Sequence, residues 1–283
     1  MKVLAFEIPK SVNDSILLQV DMQKTFYNYL HQHAHIQISY IFKGNGKLLV
    51  ADSIHSYKSG DVFTIGSHTP HLFQSAKNDE TSHMISVFFT KDSFGQSFLK
   101  IPEMKEMQRF LSLSESSFKL LSNEKSIKQL ITNLLDQKGL DKFISFLKLI
   151  KLFTLSETIS LTTFIKTKQI TQDEGRRIGL VFDFVMNNFQ DDISLNDVAS
   201  LIHLTPNAFC RFFKQHTNKT FFEFLIELRI EHSCQLAVRP ENYSIADIAE
   251  MSGFSSISNF NRKFKKLKGI TPSDYRSIAE FNI

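Results

Sequence analysis

Two sets of residues in this 283-residue chain have the types and spacing that chemistry requires. The first lies in LHQHAHIQISYIFKG and GDVFTIGSHTPHLF, where His31, His33 and Gln37 are followed at a distance by His71. Three imidazoles and an amide oxygen can hold a divalent cation, or can hydrogen-bond a polar small molecule with no metal present. Gln37 is neutral, and a set without a carboxylate is a weaker site for a hard metal. His35 can point to the opposite face of its strand. The second set is Asn207, Cys210, Arg211 and Lys214, which returns as Ser258, Asn261, Arg262 and Lys265 with Lys266 beside it. Spacing of i, i+3, i+4, i+7 puts each quartet on one side of a helix. Asn and Arg suit base edges in a major groove, and Lys suits phosphates. One such stripe alone reads as a solvated face. Two, with acids excluded from both, read as a groove-contacting surface.

The elements that must carry the second set are legible as a repeat. SLNDVASLIHL (194–204) recurs as SIADIAEMSGF (244–254) at a shift of 50, and Arg211, Phe213 and Lys214 match Arg262, Phe264 and Lys265 at a shift of 51. The extra residue falls in a turn. Ser194 and Ser244 have N-cap chemistry, with Asp197 and Asp247 three positions on, a capping box with Asp in its third position. Each copy predicts a short helix, a turn and a second helix: a helix-turn-helix at about 194–215 and another at about 244–266. Phe209 and Phe213 in one copy, and Phe260, Phe264 and Leu267 in the other, are expected in the core.

The first set sits in strand-like sequence. ILLQVDM, IQISYIF, KLLVAD, DVFTIG and HMISVFF are short, rich in β-branched and aromatic residues, and separated by turns at GNG and SGD. They suggest a small antiparallel barrel or sandwich. After Pro102 the period becomes helical at 103–113, 125–136 and 141–155. The expected architecture is α+β with two domains: a β-barrel at 1–100 with a helical linker at 101–172, then an all-α domain at 173–283. The break is placed at 165–175, IKTKQITQDEGRR and its surroundings.

Charge and composition bound the function. Lys and Arg number 33 against 29 Asp and Glu, so the formal net charge is only +4, yet GFSSISNFNRKFKKLKGITPSDYR (253–276) concentrates six cations with one acid. Local charge is what a nucleic-acid footprint needs. Two cysteines make no disulfide framework and favour a reducing, cytoplasmic setting. The start, MKVLAFEIPKSVND, has no sustained apolar core for a signal peptide, and no run of about 18 uninterrupted apolar residues reads as a membrane span.

IADIAEMSGFSSISNFNRKFKKLKGITPSDYR (245–276), and more loosely 195–236, resemble the DNA-binding domain of the AraC/XylS family of bacterial transcription regulators. The resemblance covers roughly the last 110 residues. It implies that Asn207, Cys210 and Arg211, then Ile257, Ser258, Asn261 and Arg262, occupy base-reading positions, with one long helix at 221–237 joining the modules. Cys210 and Ile257 lack bidentate donors, and Asn218 stands where the family has Gly. His31-x-His33-x3-Gln37-x6-Gly44 and Gly60-x5-Gly66-x4-His71 resemble the two cupin motifs, with Gly66 and His68 where the second often has Pro and Gly. By resemblance the barrel takes a small-molecule effector, with His31, His33, Gln37, Tyr40 and His71 as its contacts. Phe42, Phe63 and Phe73 are further candidate walls. A divalent metal on His31, His33, Gln37 and His71 is the alternative occupant, with no other cofactor implied. The family also implies double-stranded DNA and RNA polymerase as partners, activation as its commoner habit, and a homodimer paired through the helical segment, whose apolar stripe could instead pack on the protein's own barrel. The rival reading is a cupin metalloenzyme, a dioxygenase or isomerase, carrying a DNA-binding tail.

Overall fold

The computed structural model describes residues 14–281 apart from 25, 27–29, 77–80, 96, 163–170 and 239–242. The first thirteen residues, read above for a leader, and residues 165–170 of the expected break lie outside the described residues. The chain divides into two compact units, Met1–Arg176 and Arg177–Ile283.

In the first unit β1 (Leu17–Gln23), β7 (Ser82–Phe89), β2 (Ile36–Lys43), β5 (Val62–Ile65), β8 (Phe118–Leu120) and β9 (Thr158–Ser160) form one sheet in that order. A second sheet has the order β4 (Ser53–Tyr57), β3 (Gly46–Val50), β6 (His71–Ser75). The pairings are antiparallel throughout the described residues. Because side chains alternate along a strand, the larger sheet sorts β2 cleanly. Ile36, Ile38 and Tyr40 join Val62, Val87 and Phe89 in one cluster, while Ile41 joins Phe63, Ile65 and Met84 in another. The second cluster is completed by Leu48, Val50, Tyr57 and Phe73 of the smaller sheet, so it fills the space between the sheets. The first is completed by α1 (Lys105–Ser114), α2 (Glu124–Asp136) and α3 (Gly139–Leu155). A sheet covered on both faces needs near-continuous apolar strands, which is how IQISYIF and HMISVFF read.

Three expectations change here. The segment 101–172 is not a separate linker: Phe110, Ile127, Ile131, Phe146, Leu149 and Phe153 are buried in the same core as the sheet. It also supplies β8 and β9, with Phe118 paired to Thr64, and Lys119 reaches Asp61 at 2.7 Å. The stripe at 141–155 expected to pair two subunits is therefore spent on the protein's own sheet, with Phe146, Leu149, Ile150 and Phe153 at most 1 % exposed. Tyr40 lies on the helix-covered face, and Phe42 packs against the same cluster, so neither lines the space between the sheets.

The second unit is helical: α4 (Gln172–Asn188), α5 (Leu195–Leu201), α6 (Pro206–Thr217), α7 (Phe221–Ala237), α8 (Ile245–Met251), α9 (Ile257–Lys268) and α10 (Pro272–Phe281). Both capping boxes are present, Ser194 with Asp197 and Ser244 with Asp247. The hydroxyl and backbone N–H of each serine hold the partner carboxyl below the usual range. A third box, Thr220 with Glu223, opens α7, the long connecting helix. Phe182 packs edge-on to Phe213 at 6.0 Å, and Phe209 lies 5.6 Å from Phe213, closing the first module around α4 and α7. Phe254, Phe260 and Phe264 bury the second module against Ile230 and Cys234 of α7. Leu267, expected in the core, is 41 % exposed instead. Arg229 of α7 ties the second module to the end of α4: it donates to Phe189 O at 2.7 Å and Asp191 O at 2.8 Å, and its guanidinium sits over the Phe254 ring.

Candidate nucleic-acid interface and interior histidine site

Helices α6 and α9 start alike. Thr205 caps α6 by accepting from Ala208 N, ahead of Pro206, whose ring suits a first helical position. Ser256 caps α9 by accepting from Asn259 N. With Phe209 and Phe213, or Phe260 and Phe264, fixed in the core, the opposite sides of the helices face outward. Asn207, Cys210, Arg211 and Lys214 are all exposed on α6, and Ile257, Ser258, Asn261, Arg262, Lys265 and Lys266 on α9. Each group is thus gathered on one helix surface. Asn218 ends α6 with φ of 56°, the left-handed conformation that Asn tolerates, where α9 ends on Gly269. Asn259, missed in the sequence reading, accepts from Arg262 Nη2 at 3.0 Å and braces that guanidinium at the surface. Its signal was present: an amide three residues before an arginine on one helix is within reach. Lys219 and Lys268 are occupied with Glu227 and Glu231 on α7.

The histidines meet at one end of the space between the sheets. His31 and His71 exchange backbone hydrogen bonds, His31 N to His71 O at 3.1 Å and His71 N to His31 O at 2.9 Å. The loop after β5 holds the neighbouring segment through His68 N to His33 O at 2.8 Å and Ser67 Oγ to Ala34 O at 2.6 Å. His68 adopts φ of 55° there, consistent with a position that favours glycine. The result places ligand atoms of His31, His33 and His71 within 4.8 Å of one another. Gln37 Oε1 lies 3.1 Å from His33 Nε2 and 3.0 Å from His71 Nε2. Its amide nitrogen lies 2.8 Å from Ser39 Oγ, which in turn lies 2.9 Å from Ser86 Oγ. A polar row thus runs from half-buried His31 and His33 to Ser39 and Ser86, both fully buried. His35 stays outside the trio, its ring 6.4 Å from Phe88, while its carbonyl receives His33 Nδ1 at 2.9 Å. Of the expected contacts, four converge and Tyr40 does not. A donor set of three imidazoles and one amide oxygen fits a divalent cation.

Burial keeps the His33 and His71 rings neutral. Desolvation brings His33 down to about 4 and His71 well below the ordinary histidine value. A base whose folded value is depressed stabilises the fold above its unfolded value and loses that stability as pH falls. In chelator-containing buffer, lowering the pH from 6.5 to 4 is therefore expected to remove roughly 3 kcal/mol through His33 alone. Thermal melts across that range check it: His33→Gln should flatten the acid limb, and an unchanged limb would refute the assignment.

Residues 14–148 match the family model of the AraC-like ligand binding domain, and residues 198–278 match that of a helix-turn-helix domain. The chain is 24 % identical over 246 residues to the Msm operon regulatory protein of Streptococcus mutans, covering 87 % of this chain and 85 % of that one. It is 25 % identical over 258 residues to the HTH-type transcriptional activator RhaR of Mannheimia succiniciproducens, covering 88 % and 87 %. ToxT from Vibrio cholerae, solved with (E)-4-(8-methylnaphthalen-1-yl)but-3-enoic acid bound, aligns over 94 % of this chain and all of its own at 18 % identity. Its TM-score of 0.37 is too low to carry an argument about this chain. No helix among the described residues is long and apolar enough to cross a membrane. With a ligand-binding domain and a helix-turn-helix domain matched in that order, and relatives of similar extent named as regulators, the chain belongs to the AraC family of transcriptional regulators.

Proposed function

We propose that the protein reads double-stranded DNA through α6 and α9 and that occupancy of the site between its two sheets adjusts this binding. The observation that carries the reading is the doubled stripe: two helices, each capped and anchored by phenylalanines, each presenting Arg and Lys with an amide or hydroxyl at matching positions. Arg211 and Arg262 serve base edges, Asn207, Ser258 and Asn261 support them, and Lys214, Lys265 and Lys266 serve phosphates. Cys210 and Ile257 offer apolar contact, of the kind a thymine methyl receives. The barrel is cupin-like in this reading, and His31, His33, Gln37 and His71 recognise the effector rather than turn it over. Tyr40 is withdrawn from that set.

The same reading makes the protein a cytoplasmic activator that meets RNA polymerase on DNA, in keeping with the printed name of the Mannheimia relative. It acts as a homodimer. With the inner stripe of α3 buried, the outer positions Leu140 and Leu155, 71 % and 69 % exposed, and Ile144 are what remains for pairing. Binding of the full chain to genomic DNA fragments, measured with and without added effector candidates, tests the proposal. Sequence-independent binding that no small molecule alters would leave only a non-specific DNA-binding protein.

A further inference from the structure

The exposure of Leu267 has a counterpart across the helix pair. Leu267 and Ile226 both line a groove of about 260 Å³ between α7 and α9. Glu223, Ile226 and Glu227 follow one face of α7, and Lys263, Lys266 and Leu267 follow one face of α9, at spacings of three and four. Lys219 joins them from the turn between α6 and α7. Ile226 rests on the buried core of the second module, so the floor of the groove is apolar and fixed. The charges around it are unevenly matched. Lys219 gives its ammonium to both carboxylate oxygens of Glu227, at 2.7 Å each. Glu223 spends Oε2 on the N–H and hydroxyl of Thr220, at 2.8 Å each. Those two bonds, with Lys214 and Lys266 nearby, hold its carboxyl below the usual range. Neither Lys263 nor Lys266 makes an ion pair among the described residues. Two ammonium groups of α9 thus border an apolar floor, with the neighbouring carboxylates already engaged.

We propose that this groove binds a small organic anion, a carboxylate or sulfonate carried on an apolar ring or short chain, and that the bound anion opposes DNA contact by α9. The anionic group pairs with Lys263 and Lys266, and the apolar body covers Leu267 and Ile226. A neutral apolar molecule would strip water from the two ammonium groups and return no partner. An inorganic anion would gain nothing from the apolar floor. The volume lies below the roughly 300–1,000 Å³ of pockets that hold drug-sized ligands, so the ligand is small.

The opposition to DNA rests on the reading of Lys266 as a phosphate contact. Phosphate binding depends on local positive charge, and an ammonium already paired with a bound anion has less of it to offer. The groove belongs wholly to the second unit, whereas the histidines belong to the first. Its ligand therefore acts on the DNA-contacting surface itself and needs no change in the barrel. That makes it a second input, distinct from the effector between the sheets.

The test uses indole-3-acetate, whose ring fluorescence stands apart because the chain has no Trp. Its fluorescence anisotropy, titrated with the purified full chain, should show saturable binding. Indole-3-acetamide, the neutral counterpart, should bind about 10-fold more weakly. Lys263→Ala should weaken indole-3-acetate by roughly 10-fold, and Lys263→Arg should retain it. Leu267→Gln should weaken acid and amide alike, with thermal melts showing that each variant folds. No saturable binding, or equal binding by wild type, Lys263→Ala and Leu267→Gln, overturns the site. Equal binding of acid and amide overturns its preference for anions. A mixed-sequence duplex at low salt should release the probe. Duplex that binds, by gel shift, without releasing it overturns the opposition to DNA. Duplex that does not bind at all counts instead against α6 and α9 as DNA readers, and the probe titrations still decide the groove.

Discussion

Arg262→Ala is expected to weaken binding to a specific DNA site by about 1 to 3 kcal/mol, roughly 5- to 150-fold, and to blur base preference at one position. The magnitude follows from what the side chain offers. A guanidinium can make two parallel hydrogen bonds to a guanine edge, a geometry no other residue of α9 supplies. Asn259 holds that guanidinium at 3.0 Å before DNA arrives, so little ordering is left for binding to supply. Asn259→Ala should therefore produce a smaller loss in the same direction. Lys265→Ala and Lys266→Ala should behave differently, weakening all sequences alike and lowering the salt dependence by about one phosphate each. Competition binding of specific against scrambled duplexes at two salt concentrations separates the two behaviours. An Arg262→Ala variant with intact discrimination would remove α9 from the reading helices.

Gly253→Ala should cost about 3 kcal/mol or more and selectively unfold the second module. Gly253 turns the chain between α8 and α9 with φ of +82°, a region that costs an L-residue about 1 to 2 kcal/mol. A Cβ there would stand 2.8 Å from Phe189 O and 2.9 Å from both Arg229 Nε and Gln190 Cα. Phe189 O is the carbonyl that Arg229 holds, so relieving the overlap disturbs the tie between α4 and the second module. The equivalent residue of the first module, His203, has φ of 54°. His203→Gly should accordingly be near neutral or slightly stabilising. Thermal denaturation of the two variants decides: a drop on the order of 10 °C or more is expected for Gly253→Ala, and a drop of about 2 °C would mean the turn tolerates a side chain.

The second unit was legible because its signals are local. Ser194 with Asp197, and Ser244 with Asp247, announce helix starts in four residues, and their recurrence fixed the repeat before any contact was known. Leu267 was misplaced because the i, i+7 rule counts a face and not its width: two turns beyond Phe260 the helix has reached its edge. In the first unit the strands with strong β-branched character were found, whereas SIHSY (β4) and HLFQS (β6) were passed over, being short and half polar. β8 and β9 have three residues each, too few for any period, and are strands because β5 offers an edge to β8 and β8 in turn to β9. The fate of the 141–155 stripe turned on tertiary competition: an apolar helix face takes the nearest apolar partner, here the sheet. The histidine site was half visible. His31, His33, Gln37 and His71 were identified by spacing and do converge. Tyr40 was not separable by residue type, although its odd offset from Gln37 places it on the other face. What spacing could not show is that Thr69 O and His35 O hold the His71 and His33 rings through Nδ1.

Protection of a bound operator from hydroxyl radicals by the full chain tests the central claim most directly. On the proposed reading α6 and α9, joined through α7, are expected to enter successive major grooves on one face of the duplex, about 34 Å apart. The account predicts two protected tracts per chain, roughly one helical turn apart, with Arg211→Ala erasing one and Arg262→Ala the other. A single tract, or two that both survive either substitution, would contradict it.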